Sequence, residues 1–154
     1  MNDVEVEHVN YRMPPQEGFT VALFLTVADV QRSTQFYQTV FGGKVLRRSV
    51  LGPDDPAYVQ IGNTWLIFNP GGGPTPDKPG VTLTTPDPNT INSFMNLRVA
   101  DIQACYKLWK SRGATFLTEP LDKYGETRCY IRDPDGYIIE VGQSKPGFFG
   151  AAAE

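Results

Sequence analysis

The stretches VALFLTVADVQ (residues 21–31) and SFMNLRVADIQ (residues 93–103) repeat one pattern at two places in the 154-residue chain. Each stretch begins with alternating apolar residues, which are typical of a strand, and then reaches a Val-Ala-Asp step. Asp29 and Asp101 stand where a side chain caps a helix by accepting bonds from the first-turn amides. The repeat therefore predicts two copies of one structural unit, each opening with a strand and a helix.

The sequence after each repeat predicts an amphipathic helix followed by three strands. The helices are predicted at residues 30–41, before Gly42-Gly43, and at residues 102–112, before Gly113. Turn residues separate the apolar runs that follow, and Asp133-Pro134-Asp135-Gly136 is the clearest turn among them. The predicted strands are 45–51, 57–61 and 65–68 in the first half and 115–117, 127–132 and 137–143 in the second. Each half is thus predicted as βαβββ, in the α+β class.

The repeat also sets the predicted domain organisation. Module one spans residues 19–69 and module two spans 91–143, within a single domain of residues 19–143. Residues 70–90 are rich in Gly, Pro, Asp and Thr and are predicted as a connection, with a brief strand at 81–84. Residues 1–18 are an N-terminal arm, in which 4–7 form either an edge strand or a loose segment, and 144–154 are a C-terminal tail.

Composition argues against several classes of partner. Fourteen basic and seventeen acidic side chains give a net charge of −3, which does not favour nucleic acid or an anionic membrane surface. The N-terminus lacks the basic and apolar regions of a secretory signal, and no apolar run approaches the roughly 20 residues of a membrane helix. Cys105 and Cys129 are too far apart in the chain for a disulfide framework. We therefore expect a cytoplasmic protein.

Three segments carry a resemblance to a known family. LTVADVQRSTQFY (residues 25–37), with Phe41-Gly42 behind it, resembles the first-module signature of the glyoxalase, bleomycin-resistance and dioxygenase (vicinal oxygen chelate) superfamily. YIRDPDGYIIE (130–140) resembles the second-module signature, and AYVQIGNTWL (57–66) looks like strands of fosfomycin-resistance relatives. The resemblance covers residues 21–143 and implies two βαβββ modules with curved mixed sheets around a small-molecule cavity. Because the superfamily includes isomerases, lyases, dioxygenases, thiol transferases and drug-sequestering proteins, it does not define the chemistry.

The metal ligands that the resemblance implies are mostly missing. They fall on Ala22, near Trp65, on Phe94 and on Glu140, and among these four residues only Glu140 can donate an electron pair to a divalent metal. Catalytic metal sites need about three protein ligands, mostly imidazole and carboxylate. The single histidine, His8, is in the N-terminal arm. We therefore predict no catalytic metal and no cofactor, and a second copy of the chain would supply the same residues.

Strand alternation separates two faces in each module. Leu23, Leu25 and Val27, like their counterparts Met95, Leu97 and Val99, are predicted to pack beneath the helices. The opposite faces mix aromatic and polar residues, which suits the lining of a ligand pocket better than open exposure to solvent. The predicted ligand-binding residues are Phe24, Thr26, Tyr58, Trp65, Phe94, Asn96 and Arg98. For the aromatic residues the alternative is an ordinary place in the hydrophobic core.

Glu140, Tyr130 and Arg128 are the candidate catalytic residues. Arg128 and Tyr130 share a strand parity that the resemblance places towards Glu140. A buried carboxylate must be paired or protonated, and Arg128 or Arg98 is the natural partner. If Glu140 is paired with an arginine, it has only a structural role. If Glu140 is buried without a partner, it is suited to act as a general base. Both interpretations stay open at this point.

Three functional hypotheses follow. The first is a metal-free protein that binds a small organic molecule in an aromatic-lined cavity. The second is a lyase or isomerase of the same superfamily that uses Glu140 as general base or metal ligand, with Tyr130 and Arg128 stabilising an oxyanion. The third is an accessory domain whose cavity is filled by its own side chains. The resemblance further implies a homodimer.

Overall fold

Two units, one ending at Asp87 and the other beginning at Pro88, make up the residues that the computed structural model describes, 14–52 and 55–149. Each has the βαβββ order, and the second carries one additional short strand. The first unit contains β1 (Ala22–Thr26), α1 (Val30–Phe41), β2 (Lys44–Arg47), β3 (Ala57–Ile61) and β4 (Thr64–Asn69). The second contains β5 (Met95–Arg98), α2 (Ile102–Ser111), β6 (Thr115–Phe116), β7 (Leu121–Lys123), β8 (Glu126–Arg132) and β9 (Ile138–Ser144). The predicted α+β class with two βαβββ modules is confirmed.

The two sheets share one topology. The first sheet has the strand order β1-β4-β3-β2, and the second has the order β5-β9-β8-β6. In each sheet the opening strand lies parallel to the last strand of the unit, β1 to β4 and β5 to β9, and the other pairs are antiparallel. The additional strand β7 pairs with β8 beside β6. The sequence repeat is therefore a structural repeat.

Local caps define the helices as predicted. The side chains of Asp29 and Asp101 each accept a hydrogen bond of 3.0 Å from the backbone amide three residues further on. Helix α1 ends where Gly42 adopts the left-handed conformation, with φ of 64°. Helix α2 ends at Ser111, one residue earlier than predicted, because the backbone of Arg112 is no longer helical and has a ψ of 5°. Within the described residues, no helix combines the length and apolarity needed to span a membrane.

Each sheet packs one face against its own helix. In the first unit Tyr37 of α1 and Phe68 of β4 are fully buried, and their rings lie 5.2 Å apart. In the second unit the buried side chains of β8 and β9 include Cys129, Ile131, Ile139 and Val141. Leu25 and Val27 are buried as predicted, whereas Leu23, Met95, Leu97 and Val99 are only half-buried. Because side chains alternate along a strand, the other face of each sheet carries a separate set of residues.

Several strand ends differ from the prediction, because the length of a strand depends on its pairing with strands that are distant in the sequence. Strand β2 stops at Arg47 instead of residue 51, whereas β8 begins one residue earlier, at Glu126, and β9 continues to Ser144. Strand β7, Leu121–Lys123, was not predicted, because its three residues gain strand geometry only by pairing with β8. In place of the predicted strand at 81–84, a single bridge joins Gly72 to Leu83.

Asp55 explains why the chain leaves the sheet after Arg47. One carboxylate oxygen, Oδ1, lies 2.5 Å from Nη2 of Arg47, and the other accepts hydrogen bonds from the amides of Val50 and Leu51 at 2.7 and 3.0 Å. The hydrogen bond from Arg47, followed by those from the two amides, lowers the pKa of Asp55 to about 2. These contacts satisfy the backbone of a turn instead of a strand.

Candidate polar and aromatic site in module two

One face of the second sheet carries the candidate catalytic residues. Cross-strand register places Asn96 opposite Glu140, and Glu140 opposite Tyr130. Arg98 and Arg128 both lie opposite Gly142. We name the face turned away from α2 the polar face; it is formed by Asn96 and Arg98 on β5, Glu140, Gly142 and Ser144 on β9, and Glu126, Arg128 and Tyr130 on β8.

Glu126 holds both arginines of the polar face. Its Oε1 lies 2.8 Å from Nη2 of Arg98, and its Oε2 accepts a hydrogen bond of 2.9 Å from Nε of Arg128. The hydrogen bond from Arg128, reinforced by Arg98, lowers the pKa of Glu126 despite the opposing effect of burial. Glu126 is therefore ionised at neutral pH and fixes the two guanidinium groups side by side.

Glu140 lies next to the same two arginines but interacts with them less closely. Its Oε1 is 3.6 Å from Nη1 of Arg98 and 3.8 Å from Nε of Arg128, and its side chain is 8% exposed. Its Oε2 accepts a hydrogen bond of 3.1 Å from the hydroxyl of Tyr130. The structure thus brings together Glu140, Tyr130 and Arg128, together with Arg98.

Tyr130 is a neutral hydrogen-bond donor. Burial raises the pKa of Tyr130, and the hydrogen bond to Glu140 raises it further. The phenol consequently keeps its proton at neutral pH. Tyr130 can orient Glu140 or donate to a bound molecule, and it cannot act as a base.

Gly142 gives Arg98 its path across the sheet. A Cβ atom at position 142 would overlap Nη1 of Arg98. Nη2 of Arg98 passes this point to reach Glu126 and also donates a hydrogen bond of 2.7 Å to Oγ of Ser144. The missing side chain at Gly142 is therefore part of the ion-pair geometry.

An aromatic residue borders the polar face. Phe94 directly precedes β5 and is 50% exposed. Its ring lies edge-on to that of Tyr130, with centroids 5.9 Å apart. The polar groups around Glu140 therefore adjoin an accessible apolar surface, a combination typical of sites for small organic molecules.

Three of the predicted binding residues of module one are aromatic and lie on neighbouring strands of the first sheet. The rings of Tyr58 and Trp65 pack edge to face at 5.2 Å, and Phe24 is 44% exposed. The guanidinium group of Arg47 lies over the Tyr58 ring, 5.9 Å from its centroid. Thr26, by contrast, is only 5% exposed, so little of it is available to a ligand.

Sequence reasoning missed Glu126, Gly142 and Ser144. Glu126 and Ser144 lay just outside the predicted strands, yet they face each other in the register of β8 and β9. Glu126 shares the period-two parity of Arg128 and Tyr130, so a strand extended by one residue would have identified it. Nothing local to Gly142 indicates that an arginine crosses it.

The described residues at the implied metal positions do not fit a divalent metal. Phe24 and Asn96 hold equivalent places in the repeat; Phe24 lies opposite Ile67 and Asn96 opposite Glu140. The first-unit counterpart of Glu140 is therefore Ile67, two residues beyond Trp65, and neither residue is a metal donor. Within the described part of the chain, no group of three or more His, Cys, Asp or Glu side chains is arranged to hold a metal ion. The two guanidinium groups beside Glu140 would also repel a divalent cation, and His8 lies outside the described residues.

The cysteines are not activated thiols. Both Cys105 and Cys129 are buried, and burial raises the pKa of each to about 11. A reactive cysteine requires the opposite shift, because the thiolate is the nucleophile. Neither thiol is therefore suited to supply nucleophilic chemistry.

Two surface clefts lie at equivalent places in the repeat, at the N-termini of the helices. One, of about 490 Å³, adjoins Gln103 of α2, and the other, of about 450 Å³, adjoins Gln31 of α1. Neither cleft is lined by a predicted ligand-binding residue. The cleft beside α2 meets the polar face only at Ser144, at the end of β9, and is not lined by Glu140, Arg128 or Tyr130.

Comparison with known proteins agrees with this architecture. The family model for the Glyoxalase/Bleomycin resistance protein/Dioxygenase superfamily matches residues 18–141. A lactoylglutathione lyase of Salmonella typhimurium is 30% identical over 129 residues, which cover 79% of this chain and 89% of that protein. A lactoylglutathione lyase of Arabidopsis thaliana is 27% identical over 78% of this chain, but the matched region is only 42% of that longer protein.

Solved structures show the same fold at lower identity. A glyoxalase/bleomycin resistance protein/dioxygenase from Nocardioides superposes with a TM-score of 0.66 at 19% identity, covering 88% of this chain and 89% of its own. TioX from Micromonospora sp. ML1 gives a TM-score of 0.62 at 20% identity, covering 82% of this chain and 99% of its own. At such identities the likeness shows the fold alone.

Proposed function

The chain belongs to the glyoxalase/bleomycin resistance protein/dioxygenase superfamily, and on that premise we propose that it binds a small organic molecule at the polar face without a divalent metal. The observation that carries this proposal is the environment of Glu140. Two guanidinium groups and a neutral phenol surround this carboxylate, whereas metal binding would require further electron-pair donors. The cations that neutralise Glu140 are therefore the protein's own side chains.

The polar face offers what a small organic ligand needs. The side chains of Arg98 and Arg128 are 37% and 26% exposed, so each retains surface to donate hydrogen bonds to a bound molecule. Phe94 supplies a flat apolar surface next to them. Glu126 holds the arginines in place before a ligand arrives, which lowers the entropy cost of binding.

Ligand screening with a matched pair of variants tests this proposal. We expect a thermal-shift screen of small organic molecules, run with a chelator present, to give hits that Arg128→Gln weakens at least about tenfold, because a hydrogen bond to a charged donor is lost. Lys107→Gln removes the same charge from an exposed site on α2 and should leave affinity unchanged. Hits that Arg128→Gln does not affect, or a screen without hits, would refute the proposal.

A second candidate function is lyase or isomerase activity. It is favoured by the curated relatives named lactoylglutathione lyase and by the hydrogen bond between Tyr130 and Glu140. In this case Glu140 takes a proton from the substrate while Arg128 and Tyr130 stabilise the resulting oxyanion. Lactoylglutathione lyase activity that persists in chelator and disappears in Glu140→Gln would favour this candidate over simple binding. The predicted homodimer is part of either proposal and rests on the resemblance.

A further inference from the structure

The charges on the polar face balance one another. Arg98 and Arg128 contribute two positive charges, and Glu126 and Glu140 contribute two negative charges. All four groups are within ion-pair distance, from 2.8 Å for Arg98 and Glu126 to 3.8 Å for Arg128 and Glu140. A ligand that brings its own charge would therefore disturb a neutral, partly buried cluster, and such an unbalanced charge is costly to desolvate.

Glu140 and Arg128 also retain unused hydrogen-bonding capacity. Oε2 of Glu140 accepts from Tyr130, but among the described residues no group donates a hydrogen bond to Oε1, although the side chain is only 8% exposed. Oε1 is not a fully buried atom, so it can accept a hydrogen bond from a ligand that reaches the polar face. Of the Arg128 nitrogens, Nε forms the ion pairs seen in the described part of the chain. The guanidinium group also interacts with the hydroxyl of Tyr130, and its two terminal nitrogens carry enough N–H groups to donate to a ligand as well.

From this geometry we propose that the ligand is a neutral, flat molecule carrying a hydrogen-bond donor and an acceptor side by side, as a primary amide on an aromatic ring does. Its N–H donates to Oε1 of Glu140, and its carbonyl oxygen accepts from a terminal nitrogen of Arg128. The ring packs against Phe94, whose edge-on contact with Tyr130 places an apolar surface next to the polar pair. This inference rests on the proposed function and specifies the class of ligand.

Three probes of equal size separate the possibilities. Benzamide is neutral with a donor and an acceptor, benzoate is an anion with acceptors only, and benzamidine is a cation with donors only. Binding is followed by NMR through the backbone amide shifts of β5, β8 and β9. We expect wild-type protein to bind benzamide at least about tenfold more tightly than either charged probe.

Variants that unbalance the cluster should reverse this preference. Glu140→Gln leaves one excess positive charge, so benzoate should become the tightest of the three probes. Arg128→Gln leaves one excess negative charge, so benzamidine should become the tightest. Glu119→Gln and Lys107→Gln change the net charge equally at exposed positions and should keep the wild-type order.

The outcomes distinguish this inference from the proposed function. Tightest binding of benzoate or benzamidine by wild-type protein overturns the neutral-ligand inference, while the proposed binding function stands. The inference is also overturned if none of the probes changes the amide shifts of β5, β8 and β9. In that case the ligand screen with Arg128→Gln still tests the proposed binding function independently. The order of the three probe affinities is measured on wild-type protein, so poor folding of a variant does not prevent the test.

Discussion

Phe68→Ala is expected to lower the free energy of unfolding by about 3–5 kcal/mol, the usual effect of truncating a fully buried phenylalanine. The Phe68 ring is 0% exposed and packs on Tyr37 of α1 at 5.2 Å. The register places Phe68 between Leu25 and Ala57, and Ala57 is too small to fill the cavity that truncation leaves. Urea unfolding measures the change.

An exposed phenylalanine in the same unit provides the control for Phe68→Ala. Phe19 is 88% exposed, so Phe19→Ala should change stability by less than about 0.5 kcal/mol. If Phe68→Ala does not fold, Phe68→Leu retains most of the volume and should show a smaller loss. A loss below about 1 kcal/mol for Phe68→Ala would contradict the packing of α1 on the first sheet.

Glu126→Gln is expected to lower the thermal unfolding midpoint at neutral pH by at least about 5 °C, whereas Glu140→Gln lowers it by less than about 2 °C. The reason is that Glu126 is bound by both arginines at 2.8 and 2.9 Å, whereas Glu140 stays beyond hydrogen-bond distance of them. Removing Glu126 leaves two adjacent cations without their closest partner. Differential scanning calorimetry of both variants, with Glu119→Gln as an exposed control, measures the contrast.

The effect of Glu126 should also depend on pH. Its folded-state pKa lies below the ordinary value of 4.5. Its stabilisation is therefore fully present above that value and is lost as the pH falls through the lower, folded-state pKa. The difference between wild type and Glu126→Gln should accordingly shrink below about pH 4.5. If Glu140→Gln proves at least as destabilising as Glu126→Gln, Glu140 is a structural ion-pair residue and its role in ligand binding is refuted.

The helices could be predicted from the sequence because their ends depend on local residues. Asp29 caps α1 through an amide three residues away, and Gly42 ends it through its own backbone conformation. The strand cores were predictable for a related reason, since period-two alternation identifies a buried face within a few residues. The repeat of residues 21–31 at 93–103 then supplied the architecture.

The details of the polar face were less predictable, because they depend on contacts across strands. Arg98 lies 28 residues from Glu126 and 46 from Ser144 in the chain, and it binds both. The sequence indicated Arg128 or Arg98 as partners of Glu140, and both arginines lie beside it. It did not indicate that Glu126 would bind them more closely, since that outcome depends on the register of β8 and on the absent side chain at Gly142.

The most direct test of whether the polar face contains a divalent-metal site is calorimetric titration with Zn²⁺, Ni²⁺ and Mn²⁺. Wild-type protein and Glu140→Gln are compared. We predict no binding site tighter than about 10 µM that Glu140→Gln abolishes, because one carboxylate flanked by two guanidinium groups is too poor a ligand set. One ion bound per chain with submicromolar affinity in wild type, and lost in Glu140→Gln, would contradict this account.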